Sequence, residues 1–231
     1  MDSGNLKVIA HIYTDFPQKF GLPRQSGLVK KLKGRIVFNE EYRNIEAFRG
    51  LEEYSYIWIL WHFNTDRKQQ WSPTVKPPRL GGNKRMGVFA TRSPFRPNSI
   101  GLSSVKLEEI IIDKKDGPVL IVSGIDMMDK TQIYDIKPYL PYTDSHPGEI
   151  AGFSDKVMDK ELVVEFPENL VRLVPEQHLD NIVQVLMQDP RPAYIDDENR
   201  VFGVAYAGLN IKFVVKENKL KVVAVESWNK H

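Results

Sequence analysis

The sequence predicts a mainly β protein: a small β-barrel or sandwich over residues 1–145, a linker over 146–160 and a small α+β unit over 161–231. Three observations carry that expectation. Short runs rich in β-branched and aromatic residues recur up to about residue 140, split by Pro- and Gly-bearing loops with scarcely any helix. No βαβ alternation occurs, nor any G-x-G-x-x-G or G-x-x-x-x-G-K-[ST] segment, which argues against Rossmann and P-loop domains. Beyond residue 160, one amphipathic stretch and several β-rich runs form a unit too small for much stability unless it packs on the barrel or a partner.

Taken in order, LKVIAHIYT (6–14) reads as a strand. Residues 15–34 hold two prolines and three glycines and read as a long loop, after which RIVF (35–38) is a short strand. EEYRNIEAFRGL sets Tyr42, Ile45 and Phe48 against acids in its first turn, which predicts one amphipathic helix ending near Gly50. SYIWILWHF (55–63) reads as a buried strand with Trp58 and Trp61 in the core. TDRKQQWSPTVKPPRLGGNKR, with three prolines and a Gly-Gly pair, is long enough to suggest a functional loop, and Trp71 is its candidate for stacking.

MGVFAT (86–91) and SIGLSSVKLEEIIID (99–113) read as strands, and Asp116-Gly117 turns the second into PVLIVSGIDM (118–127) as a hairpin. QIYDIKPYL (132–140) is a further strand, broken at Pro138. In the last unit ELVVEF is a strand, and PEQHLDNIVQVLMQ is a helix with Leu179, Ile182, Val183, Leu186 and Met187 on one face. DPRPAY is a stiff turn, and RVFGVAYAGLNIKFVV pairs with LKVVAVES across residues 216–219.

Composition narrows the function classes. Of 231 residues, 42% are hydrophobic and 27% charged, which suits a globular core under a well-solvated surface. The absence of cysteine excludes disulfides, Cys-ligated zinc, iron–sulfur clusters and thiol nucleophiles, and fits a reducing cytoplasm. MDSGNLKVIAHIYTDF has an acidic second residue and a short apolar run, unlike a signal peptide, and YIWILW is too short to span a bilayer. The five histidines share no metal-ligand spacing, so no metal is expected.

Charge is sharply segregated. Residues 17–35 carry six bases and no acid, and residues 65–97 carry eight bases against Asp66 alone. Those segments hold a net +13, while the remaining 179 residues hold −11. Segregated positive charge points to a polyanion, with nucleic acid first and phosphorylated small molecules second; two solvated basic loops are the plainer alternative.

GVFATRSPFRPNSIG (87–101) is the sharpest motif. Pro94 and Pro97 restrict Ser93 and Arg96 to extended geometry, so Arg92 and Arg96 project from a stiffened backbone suited to phosphate or carboxylate recognition. Gly87 and Gly101 leave room for a ligand or another backbone. The competing reading is a proline-rich corner whose arginines meet solvent or brace a strand crossing. RLGGNKR (79–85) offers a weaker anion nest between cations, and Asp129, Asp135 and Lys137 lie among tyrosines as candidate donor-orienting or proton-accepting groups. Ser103 and Ser104 have no obvious partner base in the sequence.

PRQSGLV, RGLEEYSYIWILW, PPRLGGNKRMGVFATRSPFRPNSIGLS and DIKPYLPYTDS together resemble the TrmO (YaeB or TsaA) tRNA adenine N6-methyltransferases, in the same order and at similar separations. The DPRPAY turn is similar to the C-terminal domain of bacterial members. The resemblance implies a β-barrel methyltransferase working as a homodimer in the cytoplasm. It implies S-adenosyl-L-methionine as donor and, as acceptor, the threonylcarbamoyl-adenosine beside the anticodon of threonine tRNA.

The implied donor site falls on Gln25, Ser26, Gly27, Asn64, Thr65, Arg92, Leu102, Asp129, Lys130, Thr131 and Gln132. Family members usually show Asp-Gly-Thr-Pro where this chain has Asp129-Lys130-Thr131-Gln132, and often proline at the position of Ser26. Asp129 or Asp135 is expected to accept the acceptor's proton or orient its ureido group, with Lys137 the third expected catalytic-site residue, also set to hold anticodon phosphates, and Arg92 meeting a carboxylate. Arg79, Lys84, Arg85, Arg96, Tyr142 and Arg191 are the expected nucleic-acid contacts. A noncatalytic RNA-binding barrel and a small-molecule methyltransferase are the rival readings.

Overall fold

Six strands close on themselves in the order β1-β2-β7-β6-β3-β8, every neighbouring pair antiparallel, in a computed structural model that describes residues 6–63, 71–77, 84–156, 161–191 and 197–229. They are β1 (Ala10–Thr14), β2 (Lys33–Phe38), β3 (Tyr56–His62), β6 (Ile100–Asp113), β7 (Gly117–Ser123) and β8 (Thr131–Pro138). A two-stranded ribbon of β4 (Thr74–Val75) and β5 (Met86–Gly87) stands outside the barrel sheet. Closure satisfies the edges that six short strands would otherwise leave open. Alternation drives it: along β3, Ile57, Ile59 and Trp61 point into the barrel while Tyr56 is exposed. Ile12, Ile36, Leu120 and Ile133 meet them inside, each burial contributing about 1.5–3 kcal/mol.

The barrel is narrow, and one glycine is required by that. A Cβ on Gly101 would lie 2.2 Å from the Trp61 indole, which packs across it from β3. Gly87, by contrast, has open space around it. Trp61 is core as expected, but Trp58 faces outward, and its indole N–H donates to Asp144 Oδ2 at 2.7 Å.

Three local expectations are corrected. Residues 40–53 form three 3₁₀ turns, Glu40–Tyr42, Ile45–Phe48 and Leu51–Glu53, rather than one α-helix. Tyr42, Ile45, Phe48 and Leu51 recur at a strict period of three, which suits 3₁₀ geometry, and Gly50 at φ +84° interrupts any continuous helix. Residues 86–91 hold only the short β5, followed by a 3₁₀ turn at Val88–Ala90. The run 200–215 is itself a hairpin: Ala207 and Gly208, at φ +48° and +76°, turn β10 (Phe202–Tyr206) into β11 (Leu209–Lys216).

The C-terminal sheet runs β10-β11-β12-β9, with β9 (Val163–Glu165) parallel to β12 (Lys219–Ser227). Helix α3 (Glu176–Met187) buries Ile182, Val185 and Leu186, and the one-turn helices α1 (Pro141–Asp144) and α2 (Glu168–Val171) flank the connection. This sheet packs directly on the barrel. The ring of Phe16, just past β1, sits 4.9 Å from that of Tyr206, and Phe20 stacks on Phe202 at 6.4 Å. A Cβ on Gly21 would come within 2.6 Å of Val204, and the Ala207 N–H donates to Asp15 O at 2.9 Å. One apolar core therefore runs through both units.

Candidate functional site

A cleft of about 970 Å³ lies between the barrel and the end of α3 with the turn that follows it. Trp61 and Leu102 reach it from β3 and β6, Arg92 and Arg96 from the segment before β6, and Arg24 and Gln25 from the β1–β2 loop. Asp126 and Thr131 come from the β7–β8 junction, and Asp189 and Arg191 from beyond α3. A second hollow of about 430 Å³ shares Arg92 and Leu102 with the cleft and is lined further by Ser26, Tyr56, Trp58 and Tyr139.

Segment 87–101 answers why two arginines, two prolines and several small polar residues sit together. Thr91 Oγ1 accepts from Ser93 N, Ser93 Oγ accepts from Phe95 N, and Ser99 Oγ donates to Pro94 O. Arg96 reaches back to donate to Thr91 O at 3.0 Å and Ser93 O at 3.4 Å. Side chains thus replace the ladder that a strand would have supplied, and prolines cost nothing where no ladder N–H is needed. The loop presents Arg92, whose Nη1 donates to Gln25 Oε1, while Gln25 Nε2 donates to Arg24 O at 2.6 Å.

Arg24 in turn donates to Asp189 O at 3.0 Å, and Arg191 holds Asp189 with two bonds of 2.8 Å. The stiff turn of the C-terminal unit therefore braces the first basic loop. Lys19, Arg24, Arg92, Arg96 and Arg191 line the cleft against Asp126 and Asp189, so the field inside it is positive.

Of the expected donor-site residues, Gln25, Arg92, Leu102 and Thr131 line this cleft, and Ser26 lines the adjoining hollow. Gly27, at φ +81°, donates its N–H to Gly124 O at 2.8 Å and ties the first loop to the end of β7. Asp129 lines neither cavity: its Oδ1 accepts from Thr14 N at 3.1 Å and its own N–H donates to Phe16 O. Lys130 adopts φ +62°, the left-handed conformation that glycine meets most easily at this place, and Gln132 is half-buried beside His11. Asp135 forms an ion pair with Lys137 at 3.2 Å on β8, and neither lines the cleft. Arg96 and Arg191 line it, Lys84 and Arg85 are exposed, and Tyr142 is 85% exposed on α1. Asn64, Thr65 and Arg79 lie outside the described residues.

The sequence reading missed Asp126. Trp61 Nε1 donates to Ser103 Oγ at 2.9 Å, which leaves the hydroxyl proton to go to Asp126 Oδ1 at 2.7 Å. Burial pushes the Asp126 carboxyl up to about pH 6, while the Ser103 hydroxyl, backbone N–H groups including that of Ser26, and the Arg92 charge pull the other way. Ser103 has its partner after all, in space rather than in sequence. The available signal was a lone acid closing the apolar run IVSGIDM.

Comparison with known proteins agrees with this architecture. Residues 11–145 match the tRNA-methyltransferase O N-terminal domain, and residues 159–228 match the TrmO C-terminal domain. A tRNA (adenine(37)-N6)-methyltransferase of Escherichia coli is 39% identical over 98% of this chain and 99% of its own length. A human protein of the same description is 38% identical over 67% of this chain and 35% of its own length. A probable S-adenosyl-L-methionine-binding protein of Pyrococcus abyssi is 32% identical, over 66% of this chain and 77% of its own. The crystal structure of TrmO from Pseudomonas aeruginosa superposes with a TM-score of 0.78 at 30% identity, covering 97% of this chain and all of that one. On sequence and fold alike, this chain belongs to the TrmO family.

Proposed function

We propose that this protein is an S-adenosylmethionine-dependent tRNA methyltransferase that methylates N6 of the threonylcarbamoyl-adenosine next to the anticodon of threonine tRNA. The observation that carries the reading is the cleft itself. It draws Gln25, Arg92, Leu102 and Thr131 from four separate stretches of chain into one cationic hollow. Its volume lies at the upper end of that usual for small-molecule sites. Aromatic walls from Trp61, Phe63 and Phe95 together with guanidinium groups suit a ligand combining a purine, an amino-acid carboxylate and a sulfonium.

When bound, S-adenosylmethionine supplies a methyl group on positively charged sulfur, already a reactive donor. The chain's own residues then mainly position and exclude water. Gln25, Ser26, Gly27, Arg92, Leu102 and Thr131 hold the donor, with Asp129, Lys130 and Gln132 shaping the turn behind Thr131; Asn64 and Thr65 complete the set. Arg92 meets a carboxylate, and its bond to Gln25 aims the guanidinium before a ligand arrives. Lys84, Arg85, Arg96, Arg191, Arg79 and Tyr142 hold the RNA, whose target base swings out of its stack to enter. A second copy would cover the exposed Tyr56 and Leu102 beside the smaller hollow, giving a homodimer that works in the cytoplasm. Among the described residues, no helix is long and apolar enough to cross a membrane.

Calorimetry with the donor, followed by transfer of labelled methyl to bulk tRNA, tests the reading. Binding and transfer are expected together. Salt-sensitive tRNA binding indifferent to the donor would mean an RNA-binding barrel, and donor binding without tRNA-dependent transfer would mean a small-molecule enzyme. Sedimentation at several protein concentrations tests the dimer.

A further inference from the structure

We propose that Asp126 is the general base of the methyl transfer, taking the proton from the acceptor N6–H; this rests on the functional reading above. The acceptor nitrogen is a poor nucleophile, because both the purine ring and the carbamoyl carbonyl withdraw its lone pair. As that lone pair forms the new bond to the methyl carbon, the carbon–sulfur bond breaks and its electron pair stays on sulfur. The N6 proton passes to Asp126. The products are an N-methylated base, a neutral thioether and a protonated carboxyl group, with charge and atoms balanced.

Elimination among the acids supports the assignment. Among the described residues, Asp126 and Asp189 are the acids that line the cleft, and both oxygens of Asp189 are engaged by Arg191, while Asp144 in the adjoining hollow accepts from Trp58 Nε1 and Leu140 N. Asp129 is committed to Thr14 N, and Asp135 to Lys137 and to Ile136 N. Asp126 receives bonds from Ser103 Oγ, Ser26 N and its own backbone N–H, yet a carboxylate accepts about four, so capacity for one substrate N–H is left. The bond from Ser103 has a fixed direction, because the Trp61 indole can only donate to it. An acid that titrates near 6 is ionised at neutral pH while still basic enough to receive a proton, the compromise that general-base catalysis favours. The charged groups sharing its cleft are Lys19, Arg24, Arg92, Arg96 and Arg191, with Asp189, and the cations favour its ionised form.

Single-turnover transfer from labelled donor to tRNA, measured against pH alongside calorimetric donor affinity, tests this. Asp126→Asn is expected to slow transfer about 10²–10⁴-fold with donor affinity unchanged. The wild-type rate should rise through pH about 6 and then level, and Ser103→Ala should move that limb to higher pH by removing a bond that favours the ionised form. Wild-type speed in Asp126→Asn overturns the proposal, as does a rate loss matched by an equal loss of donor affinity, which would make Asp126 a donor-holding group. Should Asp126→Asn not fold, the Ser103→Ala limb decides, and an unmoved limb overturns it. Wild-type protein that binds donor but leaves tRNA unmethylated sinks the functional reading, and the proposal with it.

Discussion

At the scale of single residues, Asp126 sets function against stability. Its carboxyl is raised from 3.8 to about 6 on folding, chiefly by burial, so the folded protein favours the protonated form. The stability this group contributes is therefore present below the unfolded value and lost as pH rises through about 6. Asp126→Asn should accordingly stabilise the protein at pH 7.5 by about 2 kcal/mol, while leaving it little changed near pH 4. Denaturant titrations at the two pH values check this, and an equal effect at both would show that the carboxylate carries no burial penalty. A site that keeps a destabilising charge in a cleft is typical of catalysis.

At the scale of elements, the decisive piece is the loop before β6. Arg96 holds Thr91 O and Ser93 O with one planar head, so it braces the loop that aims Arg92 as well as lining the cleft. Both bonds leave from Nη1, and lysine keeps the charge but not the planar, preorganised head that places that nitrogen. Arg96→Lys should weaken donor binding about 2–10-fold, the worth of one or two lost hydrogen bonds, with a smaller effect on tRNA affinity. Calorimetry with donor and with tRNA separates the two, and loss confined to tRNA would reduce Arg96 to a phosphate contact. The Pro-stiffened turn after α3 does similar work from the other side through Asp189 O and Arg24.

At the scale of the whole molecule, barrel and C-terminal sheet share a core, which seats the end of α3 and its following turn against the barrel to form the cleft. Phe16 is fully buried against Tyr206 at that junction. Phe16→Ala should cost about 3–5 kcal/mol and lower hydrogen-exchange protection in both β1 and β10. Loss of protection in the barrel alone would mean that the C-terminal sheet folds independently. A positive cleft between two units placed on one core also explains how bases remote in sequence, Arg24 and Arg191, serve one site.

By itself the sequence determined the mainly β architecture, the basic loops and the family, because period-two alternation and a dense run such as FATRSPFRPN are local patterns. Gln25, Arg92, Leu102 and Thr131, named through the family resemblance, are among the residues that line the cleft. Tertiary structure alone decided that Trp58 faces out, that 40–53 coils as 3₁₀ turns, and that Asp126 lines the cleft while Asp129 and Asp135 do not. Those outcomes depend on which surface a neighbour covers. Ser103 and Asp126 are 23 residues apart in the chain yet 2.7 Å apart in the fold, and burial by distant segments raises the acid. No window of sequence contains that environment, because barrel closure and the loops carrying Ser26 and Arg92 create it.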